Sequence, residues 1–245
     1  MESILYNVMN GAKTGFTRQT LIGNNLANTN TPGFKADLYA AQSMYLQGTG
    51  IGNVAMPVQN ANQYNLSPGA IIPTGRDLDV AIEGNGWFAI QDSSGKEAYT
   101  QSGNFQITQN GRLVTGSGQP VIGDGGPISI PPAQRVEIGT DGTISVVPLD
   151  GNPDTLAVID RLKLVKLEGK DIRKTEEGLF RPANGGAVQP DASLSVVTGA
   201  INGSNANPIE QMVLMIEANR EYEQNMKLMQ NVDDNHNRLT QLLRD

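Results

Sequence analysis

The chain has 245 residues, 28 of them glycine, with charged residues at only 18% against the roughly 25% of an ordinary soluble domain, and a formal net charge of −7. The acidic balance and the lack of a basic run exclude a nucleic-acid backbone and disfavour an anionic membrane surface as partners. Zero cysteines exclude disulfides and thiolate metal sites.

Aromatic residues are 5% of the chain, so Val, Ile, Leu and Ala must fill any core, in thin β-layers and small helical contacts. Nowhere do 18 apolar residues run together, which excludes a transmembrane helix. The start Met1-Glu2-Ser3-Ile4-Leu5-Tyr6 lacks the basic segment and long apolar run of a secretory signal. Export by a dedicated machine that cleaves nothing stays open.

Leu5, Val8, Met9, Ala12, Phe16, Ile22 and Leu26 recur at spacings of three and four, which predicts an amphipathic helix from about Ser3 to Ala27. Asn28 to Gly33 ends it: Pro32 holds Thr31 extended, and Pro32-Gly33 supplies the centre of a tight turn. Gly11, Gly15 and Gly23 cost helix propensity. They either weaken the free helix or let a neighbouring helix come close.

Residues 34–74 are polar, uncharged and punctuated by Gly48, Gly50, Gly52, Pro57, Pro68 and Pro73. They read as an extended connector with short strands, with a flexible loop the plainer reading. From Asp77 to Val197 the period becomes two, and Leu78, Val80 and Ile82 alternate with Asp79, Ala81 and Glu83. Trp87 to Ile90, Phe105-Gln106-Ile107, Leu113-Val114, Pro120-Val121-Ile122 and Ile128-Ser129-Ile130 follow, separated by glycine-bearing breaks. Asp141-Gly142 signals a hairpin. In Arg161 to Leu167 the apolar side chains are expected on one face and the cations on the other. Residues 75–200 are thereby predicted to be an all-β domain.

The helical period returns in residues 201–245. Asn207-Pro208-Ile209-Glu210 offers an N-cap, a proline at N1 and a glutamate at N3. Met215, Tyr222, Met229, His236 and Leu243 repeat every seven residues, with Ala218, Val232 and Leu239 in the companion row and Asn225 interrupting it. A helix this long finds its match in size only at the N-terminus. The two ends pair with each other, capping one domain, or pair with copies of themselves, giving an open filament when successive contacts do not close.

Chemistry is thin. His236 lies on the helical seam, where an interfacial role outweighs catalysis. Asp233 and Asp234 are adjacent and share no helix face. Gly48-x-Gly50-x-Gly52 has neither the spacing nor the following Lys of a phosphate loop. Asp77-Leu78-Asp79 and Asp124-Gly125-Gly126 lack the ligand density of a calcium loop. No Gly-x-Ser-x-Gly elbow occurs. No catalytic, cofactor-binding or metal residue is assigned, and no cofactor is expected.

Gly11-Ala12 through Gln19, Asn24 to Asn28 and Asn30-Thr31-Pro32-Gly33-Phe34-Lys35 resemble the N-terminal signature of the flagellar basal-body rod family. Asn202 to Asn205, then Glu210-Gln211-Met212-Val213 through Tyr222-Glu223, resemble its C-terminal signature. Arg76 to Ile82, Gly84 to Phe88 and Tyr99 to Phe105 resemble the β-domain shared by hook and rod proteins. The resemblance covers essentially the whole chain, with the motifs in family order. One departure is Asn202 to Asn207, where relatives more often carry an acidic residue before Ser-Asn and Val after it. Gly118 to Gly123, Arg161 to Lys166 and Met226 to Met229 are most similar to the proximal-rod branch; the distal-rod branch is near and the hook protein more distant.

The resemblance implies an α+β chain: a central all-β domain flanked by N- and C-terminal amphipathic helices that form a coiled-coil layer on assembly. Residues 1–33 and 201–245 would belong to the inner rod layer, 34–74 would connect, and 75–200 would lie outside. Assembly residues implied are Leu5, Val8, Ala12, Phe16, Asn25, Leu26, Asn28, Pro32, Gly33 and Phe34. On the C-terminal helix they are Met212, Met215, Ile216, Asn219, Arg220, Tyr222, Met226, Met229 and Leu239. Partners implied are neighbouring proximal and distal rod subunits and the flagellar type III export apparatus, with the chain in the periplasmic rod and no signal peptide cleaved. Two other readings compete: a self-contained β-rich binding module, and an enzyme whose pocket holds at least two placed polar groups.

Overall fold

The N-terminal helical period is realised as α1 (Glu2–Ala27), and the capped segment after Asn207 as α2 (Pro208–Leu242). At 35 residues, α2 is roughly 52 Å long. The structure, a computed structural model, describes residues 2–38, 41–48, 51–59, 63–149, 156–167 and 172–242. The chain divides into two units: residues 1–29, 36–65 and 206–245, and residues 30–35 with 66–205.

The first unit holds both helices with β1 (Asp37–Leu38), β2 (Ala41–Gly48), β3 (Ile51–Gln59) and β4 (Gln63–Tyr64). β1 pairs antiparallel with β4, and β2 with β3 from Ala41↔Gln59 to Gly48↔Ile51. Where the composition favoured a loop, residues 41–48 and 51–59 thus pair as a long two-stranded ribbon. Backbone pairing satisfies both strands without requiring an apolar face. Pro57 is tolerated opposite Ser43 because a two-stranded ribbon consists only of edges. Gly50 lies outside the described residues.

In the second unit come β5 (Ile71–Pro73), β6 (Val80–Ile82), β7 (Gly86–Gln91), β8 (Glu97–Thr100), β9 (Phe105–Ile107) and β10 (Leu113–Thr115). Next are β11 (Ile122–Gly123), β12 (Gly126–Pro127), β13 (Ala133–Ile138), β14 (Thr143–Pro148) and β15 (Ala157–Arg161). Last come β16 (Leu164–Lys166), β17 (Ile172–Lys174), β18 (Phe180–Pro182), β19 (Val196–Thr198) and β20 (Ala200–Asn202). The largest sheet runs β16-β7-β8-β18-β17, beside a three-stranded sheet β13-β14-β15 and the ladders β5–β20, β6–β19, β9–β10 and β11–β12. Every ladder is antiparallel. The β-rich centre flanked by terminal helices is the α+β arrangement expected.

Val80, Ile82, Phe88, Ile90, Phe105, Leu113 and Val121 are fully buried and form the heart of the core. Each such side chain contributes about 1.5–3 kcal/mol by leaving water. Trp87 packs at 4.8 Å on Phe180, while Phe88, on the opposite face of β7, meets Phe105 edge-on at 5.0 Å. Gly142, at φ +84°, closes the Asp141-Gly142 hairpin between β13 and β14, where Gly139 N–H donates to the Thr143 carbonyl.

Two period-two readings are corrected. Asp79 and Ala81 are buried along with Val80 and Ile82, because β6 is covered on both faces. Arg161 to Leu167 is not one strand: Arg161 ends β15, Leu162 bridges Gly123, and β16 joins a different sheet beside β7. The crossing buries Leu162, Leu164, Val165 and Leu167 together, and Lys163 is drawn in to meet Glu97 at 2.7 Å. Ile128 and Ile130 are core residues, but Ser129 between them makes only a single bridge, to Arg112.

Candidate functional site

Asn207 starts α2 as the sequence anticipates: its Oδ1 accepts from Ile209 N–H at 2.9 Å and Glu210 N–H at 3.4 Å. From there α2 runs antiparallel to α1. Gly23 faces Met215, Gly15 faces Tyr222 and Gly11 faces Asn225, so positions rise on one helix as they fall on the other. The two ends therefore pair within one chain.

The seam is built from small residues. A Cβ at Gly15 would sit 3.9 Å from the Tyr222 Cβ, and one at Gly23 3.6 Å from the Met215 methyl. The glycines serve close approach of the helices, one of the two roles the sequence allowed. Ala218 and Ile22 are buried, and Ala12, Leu26, Met215, Tyr222, Met226 and Met229 half-buried. Leu5, Val8, Leu239 and His236 have side chains outside the described residues.

Polar contacts fix the register. Arg18 reaches Glu221 at 3.0 Å and Glu217 at 3.9 Å. Gln19 donates to Asn219 at 2.7 Å. Buried Asn25 uses its amide twice on Asp37, accepting from its N–H and donating to its carbonyl, both at 2.9 Å, and also donates to Gln211. Asn28 Nδ2 donates to the Asn24 carbonyl at the helix end. Phe16, Met212, Ile216 and Arg220 point away from the seam and are exposed. Arg18, Gln19 and Gln211 stood inside quoted motifs without a seam role, because a purely apolar heptad search passes over polar seam positions.

In the second unit, Thr31 to Phe34 forms the expected turn, with Phe34 N–H donating to the Thr31 carbonyl at 3.3 Å and Gly33 at φ +69°. Gly33 N–H donates to the Asn202 carbonyl at 2.8 Å, and its α-carbon lies so close to Gln101-Ser102 that a Cβ would fall 2.3 Å from their backbone. Phe34 lies beneath the Lys174 ammonium, 4.6 Å from the ring centroid.

Lys35 is buried, donates to the Ser67 carbonyl at 2.6 Å and lies 5.7 Å from the Trp87 ring. Burial pulls its amine down to about 8. The buried Asn202 amide clamps β6, accepting from Ile82 N–H at 2.7 Å and donating to its carbonyl at 3.0 Å. Lys35 and Asn202 stood inside quoted motifs with no role attached, since spacing carries no signal for such pins.

A recess of about 400 Å³ is lined by Asp77, Arg135, Glu137 and Thr198, where Arg135 and Glu137 pair at 3.3 Å. Among the described residues, no group of three or more acidic, His or Cys side chains could hold a metal, and no helix is long and apolar enough to cross a membrane.

A helical hairpin made from the two chain ends, with an antiparallel β unit inserted between them, defines a chain organised around its paired termini. The sequence matches the family model "Flagella basal body rod protein" over residues 5–35, "Flagellar hook protein FlgE/F/G D1 domain" over 81–146 and "Flagellar basal body rod FlgEFG protein C-terminal" over 197–242. It is 37% identical to flagellar basal-body rod protein FlgF of Salmonella typhimurium over 249 residues, covering 99% of each chain. FlgF of Escherichia coli is 36% identical with the same coverage, and FlgG of Bacillus subtilis 34% identical over 94% of this chain and 95% of its own. The chain belongs to the flagellar basal-body rod protein family.

Proposed function

We propose that the chain is the proximal rod protein, the counterpart of FlgF, and serves as a structural subunit of the periplasmic drive shaft rather than as an enzyme. Support for the proximal over the distal assignment is the end-to-end match to FlgF, 99% of both chains at 37% identity, beside a 34% match to FlgG that covers 94% of this chain. The observation that carries the structural reading is the terminal hairpin, held by a tight seam yet leaving Phe16, Met212 and Ile216 exposed.

In this reading the helices form the inner coiled-coil layer, with the assembly residues named from the sequence spread over the hairpin and the Thr31–Phe34 turn. Torque passes through packed side chains, not through a reacting group. The chain leaves the cytoplasm through the flagellar type III export apparatus without cleavage, and its neighbours are other rod subunits. The test is a tagged copy followed into isolated basal bodies, in wild-type cells and in cells lacking the distal rod protein. A proximal subunit stays in the truncated rods. A distal one is absent from them, and absence from both preparations rejects the rod reading.

A further inference from the structure

Met9 and Phe16 on α1, and Ile209, Val213 and Ile216 on α2, are each at least half exposed. On a helix of 3.6 residues per turn, Met9, Lys13 and Phe16 lie opposite the seam row Gly11-Gly15-Ile22. Ile209, Val213 and Ile216 likewise lie opposite Met215, Ala218 and Tyr222. The two apolar patches therefore face away from each other on the two sides of the hairpin.

They match in length, since Met9 to Phe16 and Ile209 to Ile216 each span seven residues, roughly 10.5 Å. They also differ in charge. Between Met9 and Phe16 stands Lys13, whereas the α2 stripe begins beside Glu210. A two-fold dimer would set like patch on like patch, lysine on lysine or glutamate on glutamate, and would leave the other patch in water.

We infer that a second copy of this chain seats its Ile209–Ile216 stripe on the Met9–Phe16 patch of the first, head to tail, with Phe16 against the neighbour's Ile209 and Lys13 near its Glu210. The contact rests on the rod reading and names the surface through which copies of the chain adjoin. It also has an axial consequence. Gly15 is level with Tyr222, so the α1 patch is level with residues 221–228, about twelve positions from the centre of the α2 stripe. Each added copy is then displaced roughly 18 Å along the helix axis, which makes the row of hairpins climb rather than close flat.

The chain has no native cysteine, so engineered thiols report this contact without background. Phe16→Cys and Ile209→Cys copies are expressed together in the source bacterium, oxidised with copper phenanthroline, and read in isolated basal bodies. The 16–209 adduct is the expected dominant product, since a disulfide forms only where Cβ atoms approach about 4 Å. A Phe16→Cys with Ile216→Cys mixture, which tests the opposite polarity, should give little. Lys13→Glu should deplete the 16–209 adduct, and adding Glu210→Lys should restore it. Adducts of 16–16 or 209–209 alone, or none in rods that contain the chain, overturn the contact while leaving the rod reading intact. Absence of a tagged wild-type copy from basal bodies overturns both.

Discussion

Gly33→Ala tests whether the Thr31–Phe34 turn is held by contact or only by its own geometry. Glycine at φ +69° avoids the left-handed penalty that alanine meets, about 1–2 kcal/mol. The added methyl would also lie 2.3 Å from the Gln101-Ser102 backbone, which cannot rotate aside as a side chain can. Overpacking of this kind costs about 1–3 kcal/mol. Lifting the turn away would stretch the 2.8 Å bond from Gly33 N–H to Asn202, worth about 1 kcal/mol. The expected loss is about 3–6 kcal/mol.

Trp87, buried and single, reports unfolding of this unit in urea by its emission. Gly75→Ala is the control: its φ is +73°, but a Cβ there meets nothing within 4 Å, so only the conformational cost applies. The two variants should differ by about 2–4 kcal/mol. Equal losses would show that the close approach of Gly33 to Gln101 contributes nothing, and the reasoning would fail.

Lys35 should give the stability of the β unit a pH dependence. With its amine near 8 in the fold against 10.5 when exposed, the unfolded chain holds more protons between those values, so stability rises with pH through that window. A gain of roughly 1–2 kcal/mol from pH 8 to 9.5 is expected in urea titrations and should vanish in Lys35→Met. The scan stops there because burial pushes the Tyr99 hydroxyl up, which lowers stability once the unfolded tyrosine ionises. Asn202→Leu should cost about 2–5 kcal/mol, because it strands both backbone groups of Ile82. Gly15→Ala should raise α-helical thermal stability, by up to about 1 kcal/mol, since its methyl enters ordinary contact with Tyr222. A loss seen by far-ultraviolet circular dichroism would mean the seam is tighter than 3.9 Å implies.

The helices were legible because their signals are local. Asn207 caps through its own side chain, Pro208 fits the first turn, and the three-four spacing needs no knowledge of the partner. The Asp141-Gly142 and Pro32-Gly33 turns were legible for the same reason, each set by two residues. Strand faces were not, because burial there depends on neighbours far away in sequence. Asp79 reads as solvent-facing in an alternating strand, yet it is buried, with its N–H bonded to Arg76 and its carbonyl to Gly199. Lys163 reads as an outward cation and is instead paired with Glu97. The β2–β3 ribbon was obscured by Pro57 and the glycines around residue 50, which resemble loop punctuation when only edge strands are being made. Asn25 stood out as a motif residue, but its reason, a two-pronged grip on Asp37, appears only in the fold.

Tyr222→Asp is the most direct test of the claim that the paired terminal helices carry assembly. The substitution sets a carboxylate on the half-buried seam against Gly15, where it loses part of its hydration. The quantity to measure is the amount of the variant in basal bodies relative to wild type, alongside Trp87 emission of the purified chain. The account predicts unchanged emission, hence an intact β unit, with the variant missing from rods and swimming lost. Rods containing the variant at the wild-type level would contradict it.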